Sequence, residues 1–368
     1  MSPLAEVREG AARLAREESG PVPRGGFQRL NPLEQPEWDK LLRSHKAATF
    51  FHGASWAAVL RDTYGHTPHY FCALTGDRLS AVMPVMEVNS RLTGRRGVSL
   101  PFTDECAYLS DGSGAGEEVF PEMIQFGKRR KWRSIEWRGD KACPGGSRPS
   151  QTFFSHNLAV SDRQDRIFGR FESGVRRAIR KAERAKIQVE ISPSLEALES
   201  YYSLHCKTRK KHGLPPQSWS FFRSIFQNVL LKGMGFVVVA RHRNRPIAAA
   251  MFFQFAGQAI YKFGASDSAY QHLRGNNLVM WEAIQWHAGR GYDSLNFGRT
   301  SIGNEGLRRF KLGFGAQERK LEYFKYDFAR DGFVAGRDGV VGWYNGAFRL
   351  MPIPLSRLIG RLLYKHLS

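Results

Sequence analysis

The 368-residue chain is short of cysteine, short of acid relative to base, and without any long apolar run. Each shortage excludes something. The four cysteines, Cys72, Cys106, Cys143 and Cys206, form no CxxC pair and have no histidine at ligand spacing, so neither a zinc site nor a disulfide framework is expected. Buried free thiols are the simpler account. No stretch approaches the ~18 consecutive apolar residues of a spanning helix. Met1 to Gly20 mixes Glu and Arg with no apolar h-region, which predicts no secretory signal and a cytoplasmic protein. A G-x-S-x-G elbow, a P-loop, a Rossmann glycine fingerprint in context and an H-E-x-x-H helix are all missing. His205 and Cys206 are sequence neighbours, which on a helix turns them ~100° apart and spoils them as a nucleophile pair. No metal or redox cofactor is implied.

What is abundant is positive charge. Lys and Arg total 55 against 34 Asp and Glu, a net charge of +21. Such an excess attracts polyanions, whether RNA, phosphate-bearing precursors or an anionic membrane face, and says nothing about the fold. The densest run is Arg163–Lys186, with nine bases and three acids. On a helix Arg176, Arg180 and Arg184 repeat at i, i+4, i+8, with Arg177 and Lys181 beside them. Guanidinium rows suit phosphate oxygens, although a solvated face needs no phosphate. Aromatic interleaving is absent from these runs, so backbone attraction is expected and sequence-specific DNA binding is not.

Length and composition predict two domains after a charged leader at 1–23. The first, 24–160, reads as helices at Glu34–Ser44 and Ser55–Tyr64, a hairpin of His69–Leu74 and Leu79–Val88, a helix at Glu118–Lys131 and a strand at Ser134–Arg138. The second, 161–335, repeats the order. A basic helical region at Ile167–Lys186 and helices at Leu195–Lys211 and Ser218–Leu231 precede strands at Phe236–Arg241, Ile247–Phe255 and Ala259–Ala265. A helix at Asn277–Arg290 and a strand at Ser294–Gly298 follow. Duplicated α/β units with mixed, mostly antiparallel central sheets flanked by helices are the expected fold.

Two segments carry a resemblance. Gln271-His-Leu-Arg-Gly-Asn, before the long helix, resembles the pyrophosphate-binding turn Q/R-x-x-G-x-G/A of GNAT acetyltransferases, except that its glycine positions fall on Arg274 and Asn276. Side chains there obstruct close backbone approach by CoA; Asn276 or Asn277 acting simply as helix N-cap is the competing account. Leu295-Asn-Phe-Gly-Arg-Thr-Ser-Ile-Gly-Asn-Glu-Gly-Leu-Arg-Arg-Phe-Lys-Leu-Gly-Phe-Gly, together with Val175–Arg184 and Arg209–Gln217, resembles the FemAB family. The likeness is nearest to its exopolysaccharide-locus acyltransferase branch. It covers about residues 160–330, the first half agreeing in layout.

The resemblance implies tandem GNAT-like domains and transfer of an aminoacyl or acyl group to an amine of a phosphate-linked peptidoglycan or exopolysaccharide precursor. Aminoacyl-tRNA or acyl-CoA would be the donor, with no tightly bound cofactor. It implies catalytic roles for Lys311, stabilising the oxyanion, and for Phe310 beside it. Arg209 and Tyr261 would contact a phosphate-bearing acceptor, and Arg299 and Asn304 would complete substrate binding. Tyr261 also fits an ordinary half-buried strand position. Two other functions stay open: a CoA-dependent GNAT N-acetyltransferase, and a non-catalytic basic adaptor on a membrane surface.

The C-terminal segment 343–368 contains no acid. Leu355, Leu358, Ile359, Leu362 and Leu363 follow helical spacing beside Arg357, Arg361 and Lys365. Leu358, Arg361, Leu362 and Lys365 would then contact an anionic leaflet at the inner membrane face. The same pattern equally suits a helix docked on the protein's own body or on a twin.

Overall fold

The computed structural model describes residues 26–114, 116–139, 148–335 and 345–367. The leader at 1–23 and Cys143 lie outside these. The first half contains β1 (Gly26–Leu30), α1 (Trp38–Arg43), α2 (Ala54–Tyr64), β2 (Thr67–Thr75), β3 (Arg78–Ser90), β4 (Gly94–Val98), β5 (Leu109–Ser110), α3 (Val119–Arg129), β6 (Ser134–Arg138) and β7 (Gln151–Ala159). The second contains α4 (Gln164–Gly169), α5 (Ser173–Arg184), β8 (Gln188–Ser192), α6 (Leu195–Lys211), α7 (Trp219–Ile225), β9 (Gly235–His242), β10 (Arg245–Phe255), β11 (Gln258–Ser266), α8 (Gly275–Ala288), β12 (Ser294–Ser301), α9 (Glu305–Gly313), β13 (Gln317–Asp327) and β14 (Gly332–Phe333). Helices α10 (Asn345–Leu350) and α11 (Ile353–Leu363) close the described chain.

The two expected sheets join into one mixed, mostly antiparallel sheet of order β1-β2-β3-β4-β6-β13-β7-β12-β11-β10-β9-β8. The order is a palindrome. Each half runs hairpin, third strand, helix, and a fourth strand parallel to the third, β4 with β6 and β11 with β12. The halves exchange their last strands: β7 pairs with β12, and β13 pairs with β6, while β7 and β13 meet at the centre.

Both hairpins are buried on two faces, which explains why β2 and β10 read as nearly unbroken apolar runs without alternation. Helices α1, α2, α6 and α7 fill one core shared by both halves, where the Trp56 ring lies 5.9 Å from Phe221 and 5.7 Å from Phe253. Helix α3 covers the outer face of the first half, and α5, α8 and α9 that of the second. Helix α8 is buried nearly all round, from Leu278 to His287.

Several elements differ from the sequence reading. Strands β1, β4, β7 and β8 lie outside the expected elements, being short or lacking an apolar alternation. The expected helix from Glu34 starts at Trp38, after Pro36. The basic region 167–186 breaks at Arg170–Glu172 into α4 and α5. Cys72, Cys106 and Cys206 are buried free thiols. Among the described residues, no helix is long and apolar enough to cross a membrane.

Candidate functional site

Parallel pairing between β11 and β12 stops at Ile260 and Asn296. Beyond that pair β12 bulges, with a register shift between Asn296 and Arg299 against β7. Gly298 sits in the bulge at φ +70°, and a side chain there would meet the Asp104 carboxylate at 2.9 Å. Only glycine accepts both the dihedral and the approach. Lys311, near the C-terminal end of α9, is 2% exposed. Its Nζ donates to the carbonyl oxygens of Gly298 at 2.8 Å and Arg299 at 3.0 Å. The ammonium is thus anchored on the β12 bulge, just beyond the last pair with β11. It is no surface charge.

The first half supplies the counter-ion. Asp104, in the loop after β4, takes an ion pair from Lys262 Nζ at 3.1 Å and approaches Arg299 Nε at 4.0 Å. Its backbone carbonyl accepts from the Tyr323 hydroxyl, which in turn accepts from Arg299 Nη1 at 3.0 Å. Arg299 lies over the rings of Phe153 and Tyr323, at 4.5 and 5.3 Å. Burial lowers Lys311 to about 8; Asp104 pulls it back up and Lys262 presses it further down. Burial also lowers Lys262, against the opposing effect of Asp104. Tyr323 is pushed up to about 12 by burial, which keeps its phenol protonated and donating.

Two cavities lie nearby, one walled in part by Asp104 and the other by Phe310; Lys311 lines neither. One, of 520 Å³, includes Thr49, Phe51, Asp104, Tyr108, Asn157 and Asn296 in its wall, and so lies between the halves. The other, of 270 Å³, lies at the N-terminus of α8 against Asp267, Tyr270, Arg274, Asn276 and Phe310. Phe310 and Lys311, adjacent on α9, therefore serve different places: the ring lines the cavity at α8 while the ammonium bonds to the β12 carbonyls. Arg274 takes the left-handed conformation (φ +64°) at the cap of α8, where glycine is the usual occupant. Neither Asn276 nor Asn277 is the N-cap, since the helix already begins at Gly275; Asn276 Nδ2 instead donates to Ser266 Oγ at 3.3 Å.

The remaining sequence-proposed residues fall as follows. Tyr261 is partly buried, its hydroxyl filling the space a side chain at Gly264 would need, and burial pushes it up to about 12. Asn304 is exposed and caps α9, its Oδ1 accepting from Leu307 N at 3.1 Å. Arg209 is engaged elsewhere, by the Pro215 carbonyl at 3.2 Å and the Tyr364 hydroxyl at 2.6 Å. On α5, Val175, Ile179 and Ala182 face the core, leaving Arg177, Arg180, Lys181 and Arg184 exposed. Arg176 is half-buried and turns back to the Gly169 carbonyl. Leu358, Arg361, Leu362 and Lys365 are exposed on the C-terminal segment. Sequence reasoning missed Asp104, Lys262 and Tyr323, which converge through the strand exchange. Near Lys311 it also missed His156, which is buried with Nε2 3.0 Å from a Glu318 oxygen and with no partner for Nδ1 among the described residues.

Residues 169–320 match the model of the acetyltransferase (GNAT) domain. No curated protein matches the sequence. Among solved structures, the crystal structure of FemX superposes with a TM-score of 0.66 at 12% identity, covering 83% of this chain and 98% of that one. The C-terminal domain of a putative lysylphosphatidylglycerol synthetase from Agrobacterium fabrum gives 0.54 at 13%, covering 84% and 99%. L-PGS from Bacillus licheniformis gives 0.51 at 12%, covering 89% and 96%. At such identities the likeness is one of fold, and the fold is of GNAT type.

Proposed function

We propose that this chain is an acyltransferase forming an amide on an amine of a phosphate-linked cell-envelope precursor, with aminoacyl-tRNA as donor. The observation that carries the reading is the buried Lys311 ammonium held on the β12 bulge near Asp104 and Lys262. Two of its N–H bonds are spent on the Gly298 and Arg299 carbonyls, which fixes the direction of the third. In this reading the third meets the oxyanion. When the acceptor nitrogen attacks the acyl carbon, the carbonyl pair moves onto oxygen and a fixed ammonium stabilises it without reorganisation. Collapse expels the ribose oxygen of the donor, which takes the proton lost by the amine. With Lys311 at about 8, most of it is charged near neutrality.

The acceptor fits the 520 Å³ cavity, where Asn157 and Asn296 offer amides and Asp104 a carboxylate. The GNAT-domain match supports acyl transfer, and the FemX and lysylphosphatidylglycerol synthetase likenesses agree with an envelope acceptor. The surplus of cations on α5 and the side chain at Arg274 favour a tRNA donor over CoA. A second reading, an acyl-CoA donor, has the cavity at the α8 N-terminus in its favour, since first-turn amides suit a pyrophosphate.

Calorimetry with acetyl-CoA and with charged tRNA separates the two. Micromolar acetyl-CoA binding displaces the tRNA reading; silence with acetyl-CoA and binding of charged tRNA supports it. A Lys311→Ala protein that still modifies envelope precursor at the wild-type rate removes the enzyme reading and leaves the adaptor.

A further inference from the structure

Helix α11 docks by the wrong side for an ordinary amphipathic helix. The residues it buries are Ser356 and Gly360, followed by Tyr364 one turn on. Gly360 rests on the Pro216 carbonyl so closely that a side chain would lie 2.0 Å from that oxygen. The Tyr364 hydroxyl donates to the Pro215 carbonyl at 3.0 Å and accepts from Arg209. The turn after the helix is tied to the β3–β4 turn: the His366 carbonyl accepts from Arg96 Nη2 at 2.9 Å, and its Nδ1 lies 2.9 Å from Ser90 Oγ. Ile353 packs against the shared core as well, while Leu355, Leu358 and Leu362 are left exposed.

Those leucines are exposed to an extent rare for a globular surface: Leu358 at 54% and Leu362 at 56%, with Leu355 beside them, Leu350 at 86% before the helix and Leu367 after it. Leu92, at 69%, is carried on the β3–β4 turn that bonds to His366. Arg361 and Lys365 are exposed on the same segment, and residues 343–368 hold no acid.

We propose that α11 and the Leu92 turn form a docking surface for an anionic lipid bilayer, with α11 lying in the interface plane. An 11-residue helix is far too short to span, but leucines entering the acyl boundary while neighbouring cations meet lipid phosphates is what such a surface needs. A second copy of this chain fits less well, because an isologous contact through the leucines would bring the same Arg361 and Lys365 rows together. Lipid binding by this surface does not depend on acyl transfer.

The test is co-sedimentation of the full chain with phosphatidylcholine vesicles, with and without phosphatidylglycerol. Binding is expected only when phosphatidylglycerol is present. Leu358→Glu with Leu362→Glu should weaken it by about ten-fold or more, and Arg361→Ala with Lys365→Ala by about five-fold per cation, less at high salt. Leu231→Glu, at an exposed leucine far along the sequence, should leave it unchanged. These side chains are exposed, so unaltered thermal melting is expected and verifies the fold. Absent or charge-independent binding overturns the proposal. So does binding that ignores the leucine pair, whether or not that pair dissociates a dimer in sedimentation equilibrium.

Discussion

Lys311 Nζ lies 2.8 Å from the Gly298 carbonyl, where β12 bulges against β7 just past its last pair with β11. The bulge depends on the glycine, because φ is +70° and Asp104 stands 2.9 Å from where a Cβ would be. Gly298→Ala should therefore cost about 1–2 kcal/mol from the dihedral alone, more once Asp104 is displaced. Transfer activity should fall with it, as the carbonyls that aim Lys311 move. Gly303→Ala, in open space on the next loop, should leave both melting temperature and rate untouched. Paired thermal melts and initial rates check this.

The pH profile tests the role of Lys311. Burial lowers its pKa to about 8, and the proposed work is done by the charged form. The rate should hold below that value and fall as pH rises through it. Asp104 favours the ammonium, so Asp104→Asn should move the falling limb to lower pH, besides weakening the Lys262 pair. Lys311→Arg keeps its charge far above this range and should abolish the limb, whatever activity remains. Lys311→Ala should lower kcat/KM about 10²–10³-fold. A limb that rises through the same pH would instead assign Lys311 as the base.

The sequence was most legible where structure is local. Both hairpins, α6 and the helix before β12 follow from periodicity and turn residues, and the repeated order of elements shows in their spacing. Lys311 and Phe310 were singled out by a motif. The strand exchange is invisible, since whether β7 closes on its own half or on the other is decided by long-range pairings such as Asn296 with Asn157. For the same reason Asp104 carried no signal: a carboxylate in a Pro-Phe-Thr-Asp-Glu loop becomes informative only when Lys262 and Arg299 arrive beside it. The polar start of β13, Glu318 and Arg319, gives no apolar alternation, although the turn at Gly313-Phe-Gly already points to a strand there. Asn304 and Arg209 drew attention by position in a motif, yet their hydrogen bonds go to a helix cap and to the C-terminal segment.

Gly360 bears on the C-terminal helix in a way that helix propensity does not capture. Its absent side chain lets the Pro216 carbonyl close on the helix, so Gly360→Leu should undock α11 even though leucine is the better helix former. Limited proteolysis should then cleave after Arg357 or Arg361 in the variant and spare the wild type. Gly346→Ala, where nothing lies within contact distance, should behave as wild type.

The exposed row on α5 offers the sharpest separation between donors. Val175, Ile179 and Ala182 hold the helix to the core, and Arg177, Arg180, Lys181 and Arg184 form no ion pair among the described residues. Their replacement by Gln, all four together, should shift the melting temperature little, since each site is solvated. Affinity for bulk tRNA should drop, and the slope of log K against log salt should flatten by about 3, near one unit per lost phosphate contact. Acetyl-CoA binding, if there is any, should not change, because the α8 cavity draws none of its lining from α5. A protein whose tRNA affinity is indifferent to salt, or unmoved by the four substitutions, would leave α5 a plain solvated face and take away the electrostatic support for a tRNA donor.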